Sequence, residues 1–162
     1  MTEIRQVNDN EIQALSVLAS AIVKQHYDPL LGAEQNDYMI AMFQSESGIR
    51  KQIAERYRYY WILEDGKEAG FFAMYPECGK MYLSKFYISR KYRGRGLGRK
   101  AFDFICCESQ KERLTHIFLN VNRGNTDSIK IYKHLGFRII REEKNDIGRG
   151  FYMDDYVMET SV

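Results

Sequence analysis

The sequence predicts an α/β (α+β) fold: a mixed, largely antiparallel central sheet of about six to seven strands flanked by about four to five helices. Three observations carry that expectation. Apolar residues recur at helical spacing through the first third of the chain. Runs rich in aromatic and β-branched residues replace them from Arg58, and strands then alternate with amphipathic helices from Met81 onward. The length of 162 residues suits one domain, taken as 1–162, and no repeat, low-complexity run or linker divides it.

Residues 3–7 read as a short strand, after which Asn8 or Asp9 can cap a helix whose Ile12, Leu15, Ala19 and Ile22 share one face. That helix is expected to run to about Gln25, because Pro29 and Gly32 break the pattern beyond it. One or two short helices are expected over 37–43 and 49–55. The run Tyr59, Tyr60, Trp61, Ile62, Leu63, an Asp65-Gly66 turn and residues 69–75 form a hairpin, and 81–88 is a third strand. A helix opens near Gly96, with Leu97, Ala101, Phe104 and Ile105 on the stripe that packs against a sheet. Residues 116–121 form the next strand. Thr126 or Asp127 can cap a short helix that ends at Leu135, where Gly136 can take the left-handed terminating conformation. Strands over 138–142 and 151–158 close the chain.

With 44% hydrophobic residues, 28% charged residues and two prolines, the composition is that of a folded protein, far from disorder. No stretch approaches the ~20 apolar residues of a membrane span, and the first residues lack the basic start and apolar block of a secretion signal, so the expected address is cytoplasmic. Cys78, Cys106 and Cys107 are odd in number and two are adjacent. That argues against a disulfide framework and fits a reducing compartment, with the cysteines read as small buried fillers. His26, His116 and His134 lack metal-ligand spacing with cysteines or acids, so no metal is assigned.

The chain carries 24 basic and 22 acidic residues, and six of the cations, Arg90, Lys91, Arg93, Arg95, Arg99 and Lys100, fall within eleven consecutive positions. The positive field is therefore concentrated on Arg93, Gly94, Arg95, Gly96, Leu97 and Gly98, between a strand and a helix. A turn free of side-chain bulk can aim successive N–H groups at one anion, and the following helix adds the positive end of its dipole. A phosphate cradle follows. A nucleic-acid-binding module would also show a basic loop, but the pI of about 8.4 is below the ~9 of such footprints, and the charge occupies one loop, not a stripe. A kinase-like nucleotide binder is disfavoured by the missing Lys-Ser/Thr after the glycines.

Arg93, Gly96 and Gly98 fit the Gln/Arg-x-x-Gly-x-Gly/Ala element of the GNAT superfamily of acyl-CoA N-acyltransferases. Phe86, Tyr87 and Ile88 resemble the strand before that loop. Downstream, Asn125, Tyr132, Gly136 and Phe137 resemble the family's second signature, an Asn followed by a helix ending in Tyr and then Gly-Phe. The resemblance covers residues 59–159, and the tail is similar to that of small bacterial members related to polyamine acetyltransferases. It implies a GNAT-like sheet with splayed central strands, acetyl-CoA as cosubstrate, and an amine-bearing small molecule or peptide as acceptor, with no nucleic acid or membrane partner.

Under that resemblance the N–H groups around Arg95 to Arg99 take the pyrophosphate and the neighbouring arginines supply positive potential. The pantetheine arm pairs with backbone at Phe86, Tyr87, Ile88 and Asn120, and Asn125 caps or bridges the loop before its helix, with ligand contact its lesser role. The expected coenzyme-binding set is Phe86, Tyr87, Ile88, Arg93, Gly94, Arg95, Gly96, Leu97, Gly98, Arg99, Asn120 and Asn125. Tyr132 matches the tyrosine that protonates the leaving thiolate; packing under the glycine-terminated helix is its other reading. Many relatives place a glutamate on the strand before the turn, but residues 81–88 hold no carboxylate. The base is left open among Tyr82, Ser84 through water, Glu68 and Asp154, and a catalytically silent acyl-CoA sensor is the alternative function. Of Asp154 and Asp155, at most one can face a cleft that attracts a cationic acceptor. Tyr57, Tyr59, Tyr60 and Trp61 are either a cation-binding wall or sheet packing. A homodimer could form through the closing strands.

Overall fold

The run Tyr59, Tyr60, Trp61, Ile62, Leu63 leaves no polar face to turn toward water, so both sides of the strand that carries it must be covered. The computed structural model describes residues 1–162. Seven strands form one sheet: β1 (Thr2–Gln6), β2 (Arg58–Glu64), β3 (Lys67–Glu77), β4 (Lys80–Ile88), β5 (His116–Asn122), β6 (Arg138–Gly148) and β7 (Phe151–Ser161). Five helices accompany them: α1 (Ile12–Leu31), α2 (Ala33–Phe43), α3 (Glu46–Ala54), α4 (Leu97–Lys111) and α5 (Thr126–His134). The strand order is β1-β2-β3-β4-β5-β7-β6. Pairing is mostly antiparallel, as expected, while β4 and β5 run parallel with Met81 opposite Ile117 and Tyr82 opposite Phe118. The chain divides into two compact units, Met1–Tyr75 with Lys85–Phe104, and Pro76–Ser84 with Ile105–Val162.

In the first unit, one face of β2 and β3 presents Tyr59, Trp61, Leu63, Phe71 and Ala73 to Ile12, Leu15, Ala19 and Ile22 of α1 and Ile49 of α3. The opposite face carries Tyr60 stacked on Phe72, with ring centroids 5.0 Å apart, and both rings meet Phe104 of α4. Tyr59, Tyr60 and Trp61 are therefore core, each contributing about 1.5–3 kcal/mol by burial, and the half-buried Tyr57 stacks on Tyr75 at 5.1 Å, so the run serves as sheet packing. Tyr59 does meet a cation, but an internal one. The Lys85 side chain is buried, its ammonium donates to the Phe43 carbonyl and to the Tyr59 hydroxyl at 2.6 Å, and it stands 5.1 Å from the Tyr59 ring centre. Tyr59 in turn donates to Gln52 Oε1.

α1 continues past the expected end at Gln25 through Pro29 to Leu31. Pro29 sits in the last turn, where its missing N–H removes a single bond, and the Gly32 N–H still closes on the Asp28 carbonyl at 2.9 Å. Asn36, fully buried in α2, donates to the Val23 carbonyl at 3.2 Å and to Asp28 at 2.8 Å. These tertiary bonds hold the end of α1 and override the local breaker. Gly32, at φ 83°, then makes the turn that the sequence placed there.

In the second unit, Ile117, Leu119 and Val121 of β5 are buried and alternate with half-buried Phe118, Asn120 and Asn122. The closing strands are longer than expected, 11 residues each. β6 is an edge strand whose Glu142, Glu143 and Lys144 carry no apolar alternation, and pairing to β7 from Arg138 to Gly148 defines it. The cysteines are free but are not buried fillers: Cys78 and Cys107 are exposed and Cys106 is half-buried. Ile105 takes the inward position on α4, which turns Cys107 outward, and Cys78 stands at φ 51° in the turn before β4.

Burial with no carboxylate beside it lowers the Lys85 ammonium from its ordinary 10.5 to about 7. Above pH 7 the folded chain releases this proton while the unfolded chain holds it up to about 10.5, so stability should rise with pH across that interval. Burial also raises the Tyr59 phenol, so stability falls again where an unfolded tyrosine ionises, above about 10. Urea unfolding at pH 6.5, 8 and 9.5 should show a rise approaching ~1.4 kcal/mol per pH unit, and Lys85→Met should remove it.

Candidate active site

At the end of β4 the backbone is held by a hydrogen bond from the Ser89 N–H to the Ala69 carbonyl of β3, 2.8 Å. Gly70 makes this approach possible, because a Cβ there would lie 2.3 Å from the Tyr87 oxygen and 3.0 Å from Ile88 Cα. A single 3-10 turn, Arg90–Tyr92, follows, and Arg93 Nε donates to the Ile88 carbonyl at 2.9 Å, tying the loop back to the strand. Gly94 and Gly96 adopt φ 77° and 79°, with nothing within 4 Å of where a Cβ would stand. Conformation, not space, demands glycine there.

Leu97, 1% exposed, pins the start of α4. The first intrahelical bond shown runs from the Lys100 N–H to the Gly96 carbonyl, 3.2 Å, so by helix geometry the N–H groups of Leu97, Gly98 and Arg99 precede the hydrogen-bonded ladder. These donors and the helix dipole make an anion cradle. A Cβ on Gly98 would touch only Ile88 Cδ1, at 3.4 Å, an ordinary contact. Around the cradle, Lys91 and Arg95 stand over the Tyr92 ring at 5.2 and 5.4 Å, Lys100 donates to Thr2 and Arg99 lies 3.9 Å from Asp103. Burial and the neighbouring Arg90 lower the Arg93 guanidinium, in keeping with its structural bond. The first unit thus brings together Phe86, Tyr87, Ile88 and the whole stretch from Arg93 to Arg99.

The second unit holds Asn120, Asn125 and Tyr132. The N-cap of α5 is Asn125, not Thr126 or Asp127, which lie in its first turn: the Asn125 side chain accepts from the Ser128 N–H at 3.3 Å. At the other end, Gly136 at φ 107° turns the chain so that the Phe137 N–H donates to the Tyr132 carbonyl at 3.0 Å. The half-buried Tyr132 meets the Phe137 ring edge-on at 5.5 Å. A capped helix and a packed ring fix the phenol in place. Tyr82 stacks obliquely on Phe118, 4.9 Å apart.

Of the open candidates for the base, Glu68 is exposed and Asp154 is engaged by Arg123 at 3.0 Å. The sequence reading did not separate Asp154 from its neighbour. Asp155 is the buried one, 4% exposed, and burial pushes its carboxyl up to about 6. Only the register could reveal this, with Asp155 between Asn122 of β5 and Glu143 of β6. Lys85 was likewise unread, since a lysine inside a strand carries no sign of its burial.

The chain belongs to the GNAT acetyltransferase family: the profile described as Acetyltransferase (GNAT) family matches residues 21–137. It is similar to the 5-NmdU N-acetyltransferase of Pseudomonas phage PaMx11, 26% identical over 148 residues, 85% of this chain and 98% of that protein. It is also similar to the spermine/spermidine N(1)-acetyltransferase of Bacillus subtilis (strain 168), 25% identical over 91 residues, 51% of this chain and 60% of that protein's length. The PaiA N-acetyltransferase of Thermoplasma acidophilum, solved in complex with coenzyme A, shares the fold with a TM-score of 0.83, 19% identity and coverage of 100% of this chain and 99% of that one.

Two substitutions separate conformation from bulk in the cradle. Gly96→Ala forces a Cβ into a left-handed position costing ~1–2 kcal/mol and should weaken coenzyme A binding by roughly tenfold or more. Gly98→Ala should leave it within about threefold. Isothermal titration of both variants checks the contrast.

Proposed function

We propose that the chain transfers the acetyl group of acetyl-CoA to a primary amine of a small molecule or peptide by direct attack in a ternary complex. The observation that carries this reading is the pair of left-handed glycines delivering the open end of α4 as an anion cradle, in a chain of this family. The backbone N–H groups of Leu97, Gly98 and Arg99 suit the pyrophosphate, and Arg95 and Arg99 add positive potential. Phe86, Tyr87, Ile88 and Asn120 are proposed to meet the pantetheine arm. Arg93 and Asn125 are proposed to contribute mainly by holding the loop and α5, since the Arg93 Nε and the Asn125 side chain each bond their own backbone surroundings.

The amine nitrogen attacks the thioester carbonyl, a C–N bond forms, and the C–S bond breaks with its electron pair leaving on sulfur. Tyr132 is proposed to supply the proton that the thiolate takes up, a role its fixed position on α5 supports. The polyamine named for one relative and the 5-NmdU named for another make a soluble, cationic amine the first acceptors to try. A cytoplasmic setting fits an acetyl-CoA-dependent reaction and three free cysteines.

Tyr132→Phe should lower kcat by about a hundredfold, within the range for general acid catalysis, with coenzyme A affinity nearly unchanged. The check is free-thiol release from acetyl-CoA across polyamines, amino acids, nucleoside amines and peptide N-termini. Unchanged turnover in the variant contradicts the assignment, and no thiol release by the wild type with any amine contradicts the transfer reaction.

A further inference from the structure

An amine acceptor arrives mainly as an ammonium, with pKa near ~10.4, and has no lone pair until a base takes its proton. The strand before the glycine turn offers no carboxylate, so a carboxylate base has to come from another strand. The second unit has two acids buried within its strands, and they differ. Glu159, 7% exposed, is paired with Lys80, whose ammonium donates to it and holds its carboxyl below the ordinary range. Asp155, 4% exposed, has no cation partner. The arginine nearest in sequence to its strand contacts, Arg123, is taken by Asp154 at 3.0 Å and Glu142 at 3.2 Å. A buried carboxylate left without a counter-charge is costly unless something else pairs with it.

What surrounds Asp155 is specific. The Asn120 carboxamide favours its charged form and donates to Glu143 Oε2 at 3.0 Å. Asn122 stands opposite Asp155 on β5 and Glu143 opposite it on β6. Alternation along β5 puts Asn120 and Asn122 on the side of Phe118, whose ring packs on Tyr82 of β4. The charged groups nearest Asp155 are Glu143, paired with Arg141 at 3.0 Å, and Asp154, whose backbone neighbour across the ladder is Lys144. Asn120 and Arg141 hold Glu143 below the ordinary carboxylate range, while burial lifts Asp155. Two neighbouring acids pushed apart in this way divide the roles: one stays charged, the other accepts and gives up a proton near neutrality.

We propose that Asp155, presented by β7 beside Asn120 and Glu143, is the proton acceptor of the transfer reaction, pairing with the cationic acceptor and deprotonating it. This rests on the amine-acetylation reading above. The carboxylate takes one proton from R–NH3+, leaving R–NH2 with the lone pair that attacks the acetyl carbon. As the C–S bond breaks, the thiolate takes a proton from Tyr132, and the proton remaining in excess on nitrogen returns to Tyr132. Asp155 then releases its proton to water. The sum is ammonium plus thioester giving amide, thiol and one proton.

The test compares wild type, Asp155→Asn and Asp154→Asn by thiol release with a primary-amine acceptor from pH 6 to 10, alongside coenzyme A titration of each. Asp155→Asn should lose about a hundredfold in kcat/KM at pH 7. It should regain activity about tenfold per pH unit as the free amine supplies its own lone pair, with coenzyme A affinity within about twofold throughout. Asp154→Asn should stay within about twofold of wild type. An Asp155→Asn enzyme as active as wild type at pH 7, or one whose loss is the same at every pH, overturns the role. So does a variant that no longer binds coenzyme A, which marks Asp155 as structural. A wild type that binds coenzyme A but releases thiol to no amine overturns the transfer reaction itself, and the role with it.

Discussion

Two left-handed glycines decide where the positive end of α4 points. Gly94 and Gly96 reverse the chain after β4 in a conformation that costs a residue with a Cβ ~1–2 kcal/mol, and Leu97 is driven into the core immediately afterwards. The N–H groups of Leu97, Gly98 and Arg99 precede the helical ladder at this point, and Gly94 and Gly96 add no side chain to the turn. The bond from Arg93 to the Ile88 carbonyl and the close approach of Gly70 to Tyr87 fix the same turn from behind. Such a cradle is built from backbone, so its specificity is for a compact polyanion, and the surrounding arginines add potential more than geometry.

Buried charge is the second organising feature, and each unit handles it differently. In the first unit, burial lowers the proton affinity of Lys85, whose ammonium meets a carbonyl, a hydroxyl and an aromatic face but no carboxylate, and its bond to Phe43 links β4 to the end of α2. In the second unit, Glu159 has a lysine while Asp155 has only an amide. Glu159 is neutralised within the fold, whereas Asp155 is buried with no cation beside it, the place proposed for the acceptor's ammonium. That contrast is what distinguishes Asp155 from Asp154, which lies 43% exposed on the opposite side of the strand.

Much of this was legible in the residues. The period change at Arg58, the Asp65-Gly66 turn and the glycines after Ile88 located β2, β3, β4 and α4 closely, because each signal is local: an alternation, a positive φ, a helix start. The two family signatures fall on the turn that opens α4 and on α5. What escaped was non-local. Pro29 lies inside α1 because Asn36, eight residues from Asp28, bonds the end of that helix. β6 exists as an 11-residue strand because β7 pairs with it, since its own charged residues carry no apolar period. The cysteines looked like core and are not, because Ile105 claims the inward position of their helix. Burial of Asp155 depends on which way β7 faces, which adjacent acids cannot reveal before a register is known.

The most direct measurement compares coenzyme A with pantetheine, which keeps the thiol and the arm but lacks the diphosphate and the 3′-phosphoadenosine beyond it, and adds competition by inorganic pyrophosphate to single out the diphosphate. If the backbone cradle after β4 supplies the binding energy, calorimetry should find pantetheine weaker by at least a hundredfold, about 2.7 kcal/mol, and the coenzyme's affinity should fall with added inorganic pyrophosphate. Equal affinity for the two compounds, or indifference to pyrophosphate, would contradict the account.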